Sequence, residues 1–321
     1  MHRRHFLTTA IASATATSAV MGLRATPVAA AGHGAHATVA TALSYPVGAA
    51  KVTAVSDGFL PIDASALSGI TPEDFAAILH DNHLTGPAHP TGVNSFLVET
   101  GDRKILIDAG TGTAFGPGLG HLAANMAALG IDPASIDTII ATHLHPDHIG
   151  GLMIGDSNPF ANAGLVVQSA DVDFWTNDDI RAQSPEQARG FFDMAKGALA
   201  RFGDKVQTVS GSADLGQGLS AVPLPGHTPG HMGVMLESDG DSLLLWGDIV
   251  HVPPVQFARP DVTIGFDTDQ DQARATRQAL LDQVATDRQR IAGAHIGFSG
   301  VGYVERDGDG YRFVASPFPY G

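Results

Sequence analysis

The sequence is organised around the stretch Thr142-His143-Leu144-His145-Pro146-Asp147-His148-Ile149-Gly150-Gly151, which concentrates three histidines and an aspartate. Neutral imidazole nitrogen and carboxylate oxygen are ligands that suit zinc and neighbouring divalent metals. The apolar run directly before the stretch is typical of a buried strand, which the proline and the paired glycines prevent from continuing. We therefore expect a strand-to-loop corner, with His143 and His145 facing one ion and Asp147 and His148 facing another.

This stretch resembles the His-x-His-x-Asp-His signature of the metallo-beta-lactamase superfamily, and later segments resemble the rest of that pattern in the family's order. They are Pro225-Gly226-His227-Thr228-Pro229-Gly230-His231 for the third ligand motif, Trp246-Gly247-Asp248 for the bridging carboxylate, and Gly293-Ala294-His295 for the last histidine. Within the superfamily, the sequence is most similar to the methyl parathion hydrolase and lactonase-like branch. That similarity lies in residues 147–153, Asp173-Phe174-Trp175, Val255-Gln256-Phe257 and residues 310–314.

The resemblance implies a dinuclear metal centre. By the family pattern, the first ion would be held by His143, His145 and His227, and the second by Asp147, His148 and His295. Asp248 would bridge the two ions, and Asp248 and Asp147 would be the catalytic carboxylates. Asp108 would support the centre by orienting a ligand histidine. His231 competes with His227 for the third motif, and the pattern assigns it a supporting or packing role.

The expected cofactor is a pair of divalent ions. Zinc is the first expectation, with manganese, cobalt or iron as alternatives, because nitrogen and oxygen ligands accept them all. Ions roughly 3.5–4 Å apart lower the pKa of a shared water towards neutrality, which supplies a nucleophile without serine or cysteine. The chain contains no cysteine, so disulfides and thiolate ligands are excluded.

The resemblance also implies an aromatic substrate pocket, and the matching positions are Phe115, Trp175 and Phe192. Aromatic walls suit an aryl leaving group or an apolar lactone. The alternative for each of the three residues is a core aromatic. His251 stands three residues after Asp248, where the quorum-signal lactonases of the superfamily carry a tyrosine that contacts the substrate. This departure weakens the interpretation as a specialised acyl-homoserine lactonase. Three roles are open to His251: a pocket wall, a proton donor or a packing residue.

The expected activity is that of a metal-dependent hydrolase acting on small organophosphate triesters, aryl esters or lactones. One alternative is a lactonase, quorum-quenching or general, without phosphotriesterase activity. Others are a di-iron oxidoreductase or sulfur dioxygenase, and a metal-binding protein without turnover. The formal net charge of −15 disfavours nucleic acid and anionic membranes as partners, because an acidic surface repels both. Relatives are often dimers, so a homodimer is expected by analogy.

The N-terminus carries Arg3 and Arg4, then a short apolar stretch and a small-residue segment that ends near Ala31. This pattern is typical of a twin-arginine export signal over residues 1–31, which predicts a periplasmic or secreted protein. Residues 32–48 are rich in Ala, Gly, His and Thr and are expected to form a flexible leader. The alternative for the N-terminus is a disordered basic segment.

The remaining residues, 49–321, are expected to form one domain. Hydrophobic alternation predicts a hairpin across Gly101-Asp102, and helical spacing predicts helices over residues 119–129, 185–202 and 268–290. Strands followed by a helix recur in each half. Together with the resemblance, this predicts an α/β fold, the four-layer αββα sandwich of the metallo-beta-lactamase family, with the ligand loops at one edge.

Overall fold

The computed structural model describes residues 41–116, 118–155 and 158–318, which fold around two seven-stranded sheets. The strands of the first sheet are, in spatial order, β1 (Ala42–Val47), β2 (Ala50–Asp63), β4 (Ala88–Thr100), β5 (Arg103–Ile107), β6 (Thr138–Ile140), β7 (Gly164–Gln168) and β8 (Val206–Val209). Those of the second are β16 (Gly310–Ala315), β15 (Val301–Asp307), β14 (Ile291–Ala292), β12 (Asp241–Leu245), β11 (Met232–Ser238), β10 (Leu219–Pro223) and β9 (Ala213–Gly216). A small ribbon pairs β3 (Leu67–Ser68) with β13 (Thr263–Ile264).

The helices lie outside the two sheets or at their edge. They are α1 (Pro72–Asp81), α2 (Leu122–Ala128), α3 (Pro146–Ile149), α4 (Ser169–Trp175), α5 (Asp178–Gln183), α6 (Glu186–Phe202), α7 (Pro253–Ala258) and α8 (Gln270–Asp287). Asp269 caps α8 by accepting from the N–H of Gln272 at 3.0 Å, one residue after Thr268, where the predicted helix begins. Within the described residues, no helix combines the length and apolar character needed to cross a membrane.

Alternation along the strands builds the four layers. In β4, Leu97 faces the helices α2 and α6, whereas its neighbours Phe96 and Val98 face the other sheet. The second sheet does the same, because Leu243 and Leu245 point towards the first sheet while Leu244 packs against α8. Successive side chains of a strand point to opposite faces, so each sheet buries both of its faces. The predicted four-layer αββα sandwich in a single domain is confirmed.

The start of the fold differs from the sequence prediction. Regular structure begins at β1, inside the segment expected to be a flexible leader up to residue 48, because residues 42–47 pair in register with residues 50–55 of β2. Gly48 makes the turn between the two strands at φ 56°. Tyr45 and Val47 are buried in the core between the two sheets. The predicted signal over residues 1–31 and the leader as far as residue 40 lie outside the described residues.

Candidate metal centre

The opening histidine motif lies where β6 gives way to α3. His145 is still extended, at φ −72° and ψ 151°, and Pro146 then begins the short helix as its first residue. His143 and His145 therefore precede the bend, and Asp147 and His148 lie on the first turn of α3. The corner predicted from the proline has the expected position, and it continues as a helical turn rather than an open loop.

The histidines and aspartates predicted as ligands converge on one point. One group brings together His143, His145 and His227, and a second brings together Asp147, His148, Asp248 and His295. In each group the candidate ligand atoms lie within 4.8 Å of one another. A third group of the same kind, not predicted from the sequence, joins His251 to His227 and Asp248.

Asp248 lies at the centre of this cluster. Five imidazole nitrogens approach its Oδ2 atom: Nε2 of His295 at 3.0 Å, of His148 at 3.2 Å, of His251 at 3.2 Å, of His227 at 3.3 Å and of His143 at 3.6 Å. Its other oxygen, Oδ1, is buried and makes no hydrogen bond. Nε2 of His148 is likewise buried without a hydrogen-bond partner. Buried polar atoms without partners are costly, so their presence here indicates that these atoms face a ligand.

Three ligand histidines are oriented by hydrogen bonds on the side away from the cluster. Nδ1 of His148 donates to Asp108 at 2.8 Å, Nδ1 of His227 donates to Asp267 at 2.8 Å, and Nδ1 of His295 donates to the carbonyl of Gly92 at 2.8 Å. Because Nδ1 is committed to these bonds, Nε2 is the atom of each ring that faces the cluster and can bind a metal once its own proton is displaced. Asp108 therefore lies where an orienting residue is needed.

Asp267 has the same relation to His227, but it is not among the predicted site residues. It lies just before α8, where its second oxygen also accepts from the backbone N–H of Ile264 at 3.2 Å. The residues that follow, Thr268-Asp269-Gln270-Asp271, indicate the start of a helix. Nothing in this local pattern indicates that the preceding aspartate belongs to the site. Only the approach of this segment to the loop of His227 reveals that role.

His231 supports the centre through the backbone. Its Nδ1 donates to the carbonyl of Leu224 at 2.8 Å, and its Nε2 accepts from the N–H of Asp248 at 2.9 Å. An imidazole that donates at one nitrogen and accepts at the other is neutral, and burial lowers the pKa of His231 to about 3. His227 is thus the histidine of this motif that lies in the cluster. His231 instead holds the backbone of Asp248.

Asp171 ties two of the motif loops together, and it too is absent from the predicted residues. Its carboxylate accepts from the N–H of Leu144 at 2.9 Å, between the first two histidines, and from the N–H of Gly230 at 2.7 Å, after the third. Burial raises the pKa of this carboxyl group. Gly230 is required at this contact, because a Cβ there would lie 2.4 Å from the backbone nitrogen of Asp171.

The buried carboxylates of the cluster favour the binding of a cation. Burial lowers the pKa of His143 and of His145 well below the ordinary value, so both are neutral. For His295, burial opposes the charged form, but Asp248 and Asp147 outweigh it and raise the pKa to about 10. His227 behaves in the same way and its pKa is raised to about 9. The buried carboxylates thus retain protons on nearby imidazoles, and a bound cation would replace those protons.

A cavity with about 70 Å³ of space for the centres of water molecules opens above the cluster. Its polar floor is formed by His145, Asp147, His227, Asp248, His251 and His295. Its apolar wall is formed by Leu60, Ile62, Phe115, Leu119, Phe191 and Phe266. Among the described residues, no lysine or arginine lines this cavity. Phe115 and His251 therefore lie where a substrate-contacting residue is expected.

The expectation that Trp175 and Phe192 line the cavity needs correction. Both are buried in the core beneath the first sheet, at 3% and 2% exposure, and neither reaches the cavity. The Trp175 ring contacts the ring of His145 from behind, with centroids 5.2 Å apart. Phe191 lines the cavity instead of Phe192, because consecutive residues on a helix point about 100° apart and only one of the two can face the site.

Comparisons with known proteins agree with this geometry. Residues 88–295 match the family model of the Metallo-beta-lactamase superfamily. The crystal structure of the hydrolase AbOPH, in the beta lactamase superfamily, superposes with a TM-score of 0.83 at 32% identity, covering 88% of this chain and 99% of that one. AidC, a dizinc quorum-quenching lactonase, superposes with a TM-score of 0.82 at 24% identity, over 87% and 98% of the two chains, and this likeness establishes the fold alone.

Among curated proteins, an N-acyl homoserine lactonase of Bacillus sp is 26% identical over 141 residues, which are 44% of this chain and 49% of that protein. The AttM N-acyl homoserine lactonase of Rhizobium radiobacter is 30% identical over 124 residues, which are 37% and 42%. The chain thus spans about half the length of these relatives or less. The clustered histidines and aspartates, together with these relatives, indicate a site for divalent metal.

Proposed function

Because the chain belongs to the metallo-beta-lactamase superfamily of hydrolases, we propose that it is a dinuclear metal-dependent hydrolase of small, uncharged esters, with lactones as the first substrate class. The observation that carries the proposal is the position of Asp248 at the floor of an apolar cavity, where its Oδ2 atom lies within 3.6 Å of histidines from both groups of ligand side chains. Similarity to N-acyl homoserine lactonases supports the lactone class.

The residues fit a pair of divalent ions, zinc first. His143, His145 and His227 would hold one ion, and Asp147, His148 and His295 would hold the other, with Asp248 between them. Bound there, two divalent ions would supply a water of lowered pKa as nucleophile and a Lewis acid for the carbonyl or phosphoryl oxygen. This donor set contains only nitrogen and oxygen, which zinc, manganese, cobalt and iron all accept.

The chain's own residues provide the other requirements of hydrolysis. Asp108 and Asp267 keep the ligand histidines in one tautomer and one orientation. Asp248 stays ionised although it is buried, because the imidazoles of His148 and His295 hold its pKa well below the usual range. Its partnerless Oδ1 is the atom available to accept a proton from the attacking water or from the collapsing intermediate.

The cavity wall selects the substrate. Leu60, Ile62, Phe191 and Phe266 would bury an acyl chain or an aryl group. In the part of the chain that the structure describes, no cationic side chain lies at the wall to pair with an anion. An anionic substrate would lose its hydration without gaining an ion pair, and the net charge of −15 would repel it. The proposal therefore excludes nucleic acid and favours neutral lactones, aryl esters and triesters.

Organophosphate triesters of the methyl parathion kind are the second candidate. The specific observation in their favour is the aromatic part of the wall, formed by Phe115, Phe191 and Phe266, which would stack on an aryl leaving group. A phosphotriester is uncharged, so it meets the same requirement for a neutral substrate. The two candidates share the metal centre and differ in the geometry at the reacting atom.

The deciding experiment measures turnover of the metal-loaded protein on dihydrocoumarin, an acyl-homoserine lactone and methyl parathion, with bound metals quantified in the same preparation. We expect two ions per chain and lactone turnover, with about a hundredfold to thousandfold loss of kcat in Asp248→Asn, comparable to the loss of a charge-stabilising group in other hydrolases. Fast cleavage of methyl parathion would move the enzyme to the organophosphate branch. Two bound ions without turnover of any substrate would contradict the proposal.

Two predictions from the sequence extend this proposal. Export through the twin-arginine signal of residues 1–31 would place the enzyme in the periplasm or outside the cell, and fractionation of cells that express the full chain tests it. A homodimer is expected by analogy with relatives. Light scattering of the purified protein gives the molar mass and decides between monomer and dimer.

A further inference from the structure

Five imidazole rings form a closed ring around Asp248, and His251 closes it. Neighbouring ring centroids are 4.1 Å apart for His143 and His148, 5.5 Å for His148 and His295, 5.0 Å for His295 and His251, 4.8 Å for His251 and His227, and 4.8 Å for His227 and His143. Four of these residues match the ligand motifs of the superfamily. His251 does not, yet its Nε2 lies as close to Oδ2 of Asp248 as that of His148 does.

The backbone around His251 is fixed in three places. Oε1 of Gln256 accepts from the N–H of His251 at 2.7 Å and from the N–H of Val252 at 3.1 Å. The hydroxyl of Thr91 donates to the carbonyl of His251 at 3.0 Å. These contacts come from α7 and from β4, so two separate elements hold the residue. The side chain of His251 therefore starts from a backbone with a defined position.

The side chain of His251 is buried, at 3% exposure, and its Nδ1 makes no hydrogen bond. Its ring lies nearly parallel to that of His295, at 22°, and Nε2 is directed at the centre of the cluster. A residue needed only for packing would be apolar, because a buried imidazole carries a desolvation cost. Contact with Oδ2 of Asp248, and with a cation that Asp248 binds, would offset that cost at Nε2.

We propose that His251 is a further metal ligand, which adds its Nε2 to the ion held by His227 and Asp248. The three residues form a complete group of ligand atoms on the cavity side of the cluster. The inference rests on the proposed dinuclear centre and adds a position that the family's ligand motifs do not contain. It also explains why an imidazole stands at residue 251, on a backbone that two separate elements hold.

The test uses the full protein labelled with 15N-histidine and loaded with cadmium-113, a spin-active substitute for zinc. We expect one-bond cadmium–nitrogen coupling at six imidazoles, which are those of His143, His145, His148, His227, His295 and His251. His251→Phe should remove one coupled signal and leave the other five, since it keeps an aromatic ring between His227 and His295. His80→Phe is the control, because His80 is exposed and belongs to none of the ligand groups, and it should leave all six coupled signals unchanged.

A zinc titration against a chromophoric chelator provides the second readout. His251→Phe should weaken one of the two ions by at least about tenfold, the lower bound for losing even an orienting residue of a metal site. His251→Leu replaces it if the phenylalanine variant does not fold. Five coupled imidazoles in the wild type, with unchanged zinc affinity in the variant, would overturn the role of His251 alone. A wild-type protein without cadmium coupling would overturn the dinuclear centre as well.

Discussion

The imidazole of His231 bonds the backbone N–H of Asp248 rather than its carboxylate, with 2.9 Å between Nε2 and the amide nitrogen. The contact fixes the main chain just after β12, and this sets the position from which the Asp248 side chain extends into the cluster. A neutral imidazole is needed for this bond, because only an unprotonated Nε2 can accept. Residues that do not face the metal themselves therefore also support the centre.

Replacing His231 by leucine should destabilise the protein by about 1–3 kcal/mol, because it leaves the buried N–H of Asp248 and the carbonyl of Leu224 without partners. Urea unfolding of the metal-free protein measures this loss separately from metal binding. His231→Gln, whose side chain can both donate and accept, should recover part of it. Equal stability of the leucine variant and the wild type would show that water replaces the imidazole.

Asp267→Asn should weaken metal binding by about 10–100-fold, because His227 loses the carboxylate that fixes its tautomer and orientation. Asp269→Asn is the matched control, with the same substitution two residues away at the cap of α8, where asparagine caps as well as aspartate. Competition with a chelator gives both affinities. The prediction fails if the two variants bind metal equally well.

Phe191→Ala and Phe192→Ala should affect different properties, the first lowering activity and the second lowering stability. Phe191 lines the cavity, so its removal should lower kcat/KM for apolar lactones by about tenfold, the effect of losing roughly 1.4 kcal/mol of buried aromatic contact. Phe192 lies in the core beside Trp175, so its removal should cost about 3–5 kcal/mol of unfolding free energy. Steady-state kinetics and urea unfolding of both variants provide the comparison. Similar profiles for the two would mean that both rings serve the same surface.

A lysine at the cavity wall should admit anionic substrates. Phe266→Lys should raise kcat/KM for a carboxylate-bearing aryl ester by about fivefold, since two unit charges about 4 Å apart in water attract by about 1 kcal/mol. Phe298→Lys is the control, because Phe298 is equally exposed but does not line the cavity. The ratio of rates on the charged and neutral esters is the measurement. An unchanged ratio in Phe266→Lys would show that the charge of the wall does not select the substrate.

Acid should destabilise the fold through His89, which is buried on β4 and donates from Nδ1 to the hydroxyl of Thr91 at 3.0 Å. Burial lowers the pKa of His89 from 6.5 to about 4, so the unfolded chain takes up the proton first as the pH falls. Stability present above pH 6.5 is then lost between pH 6.5 and 4, by up to about 3 kcal/mol.

The comparison for His89 is the difference in unfolding free energy between wild type and His89→Phe across that pH range. Other titrating groups are common to both proteins and cancel in the difference. We expect the wild type to lose stability relative to the variant as the pH falls. A difference that stays constant from pH 7 to pH 4 would assign the acid sensitivity to other groups.

The sequence alone determined the identity of the cluster. The residues of the His-x-His-x-Asp-His stretch, together with His227, Asp248 and His295, are recognisable because ligand chemistry depends on residue type and local spacing. The hairpin across Gly101-Asp102 and the helix after Asp269 follow from equally local signals. These features need only neighbouring residues, so the linear order contains them.

Tertiary structure alone decided which residues support and complete the site. Asp267 and Asp171 meet the motif loops across 40 and 27 positions of sequence, and neither has a local pattern that indicates such a contact. The choice of Phe191 over Phe192 depends on the rotation of α6 against the first sheet, and Trp175 is turned into the core in the same way. β1 is a strand because β2 is beside it. Long-range packing fixes these positions, since burial and partner distance are properties of the folded chain.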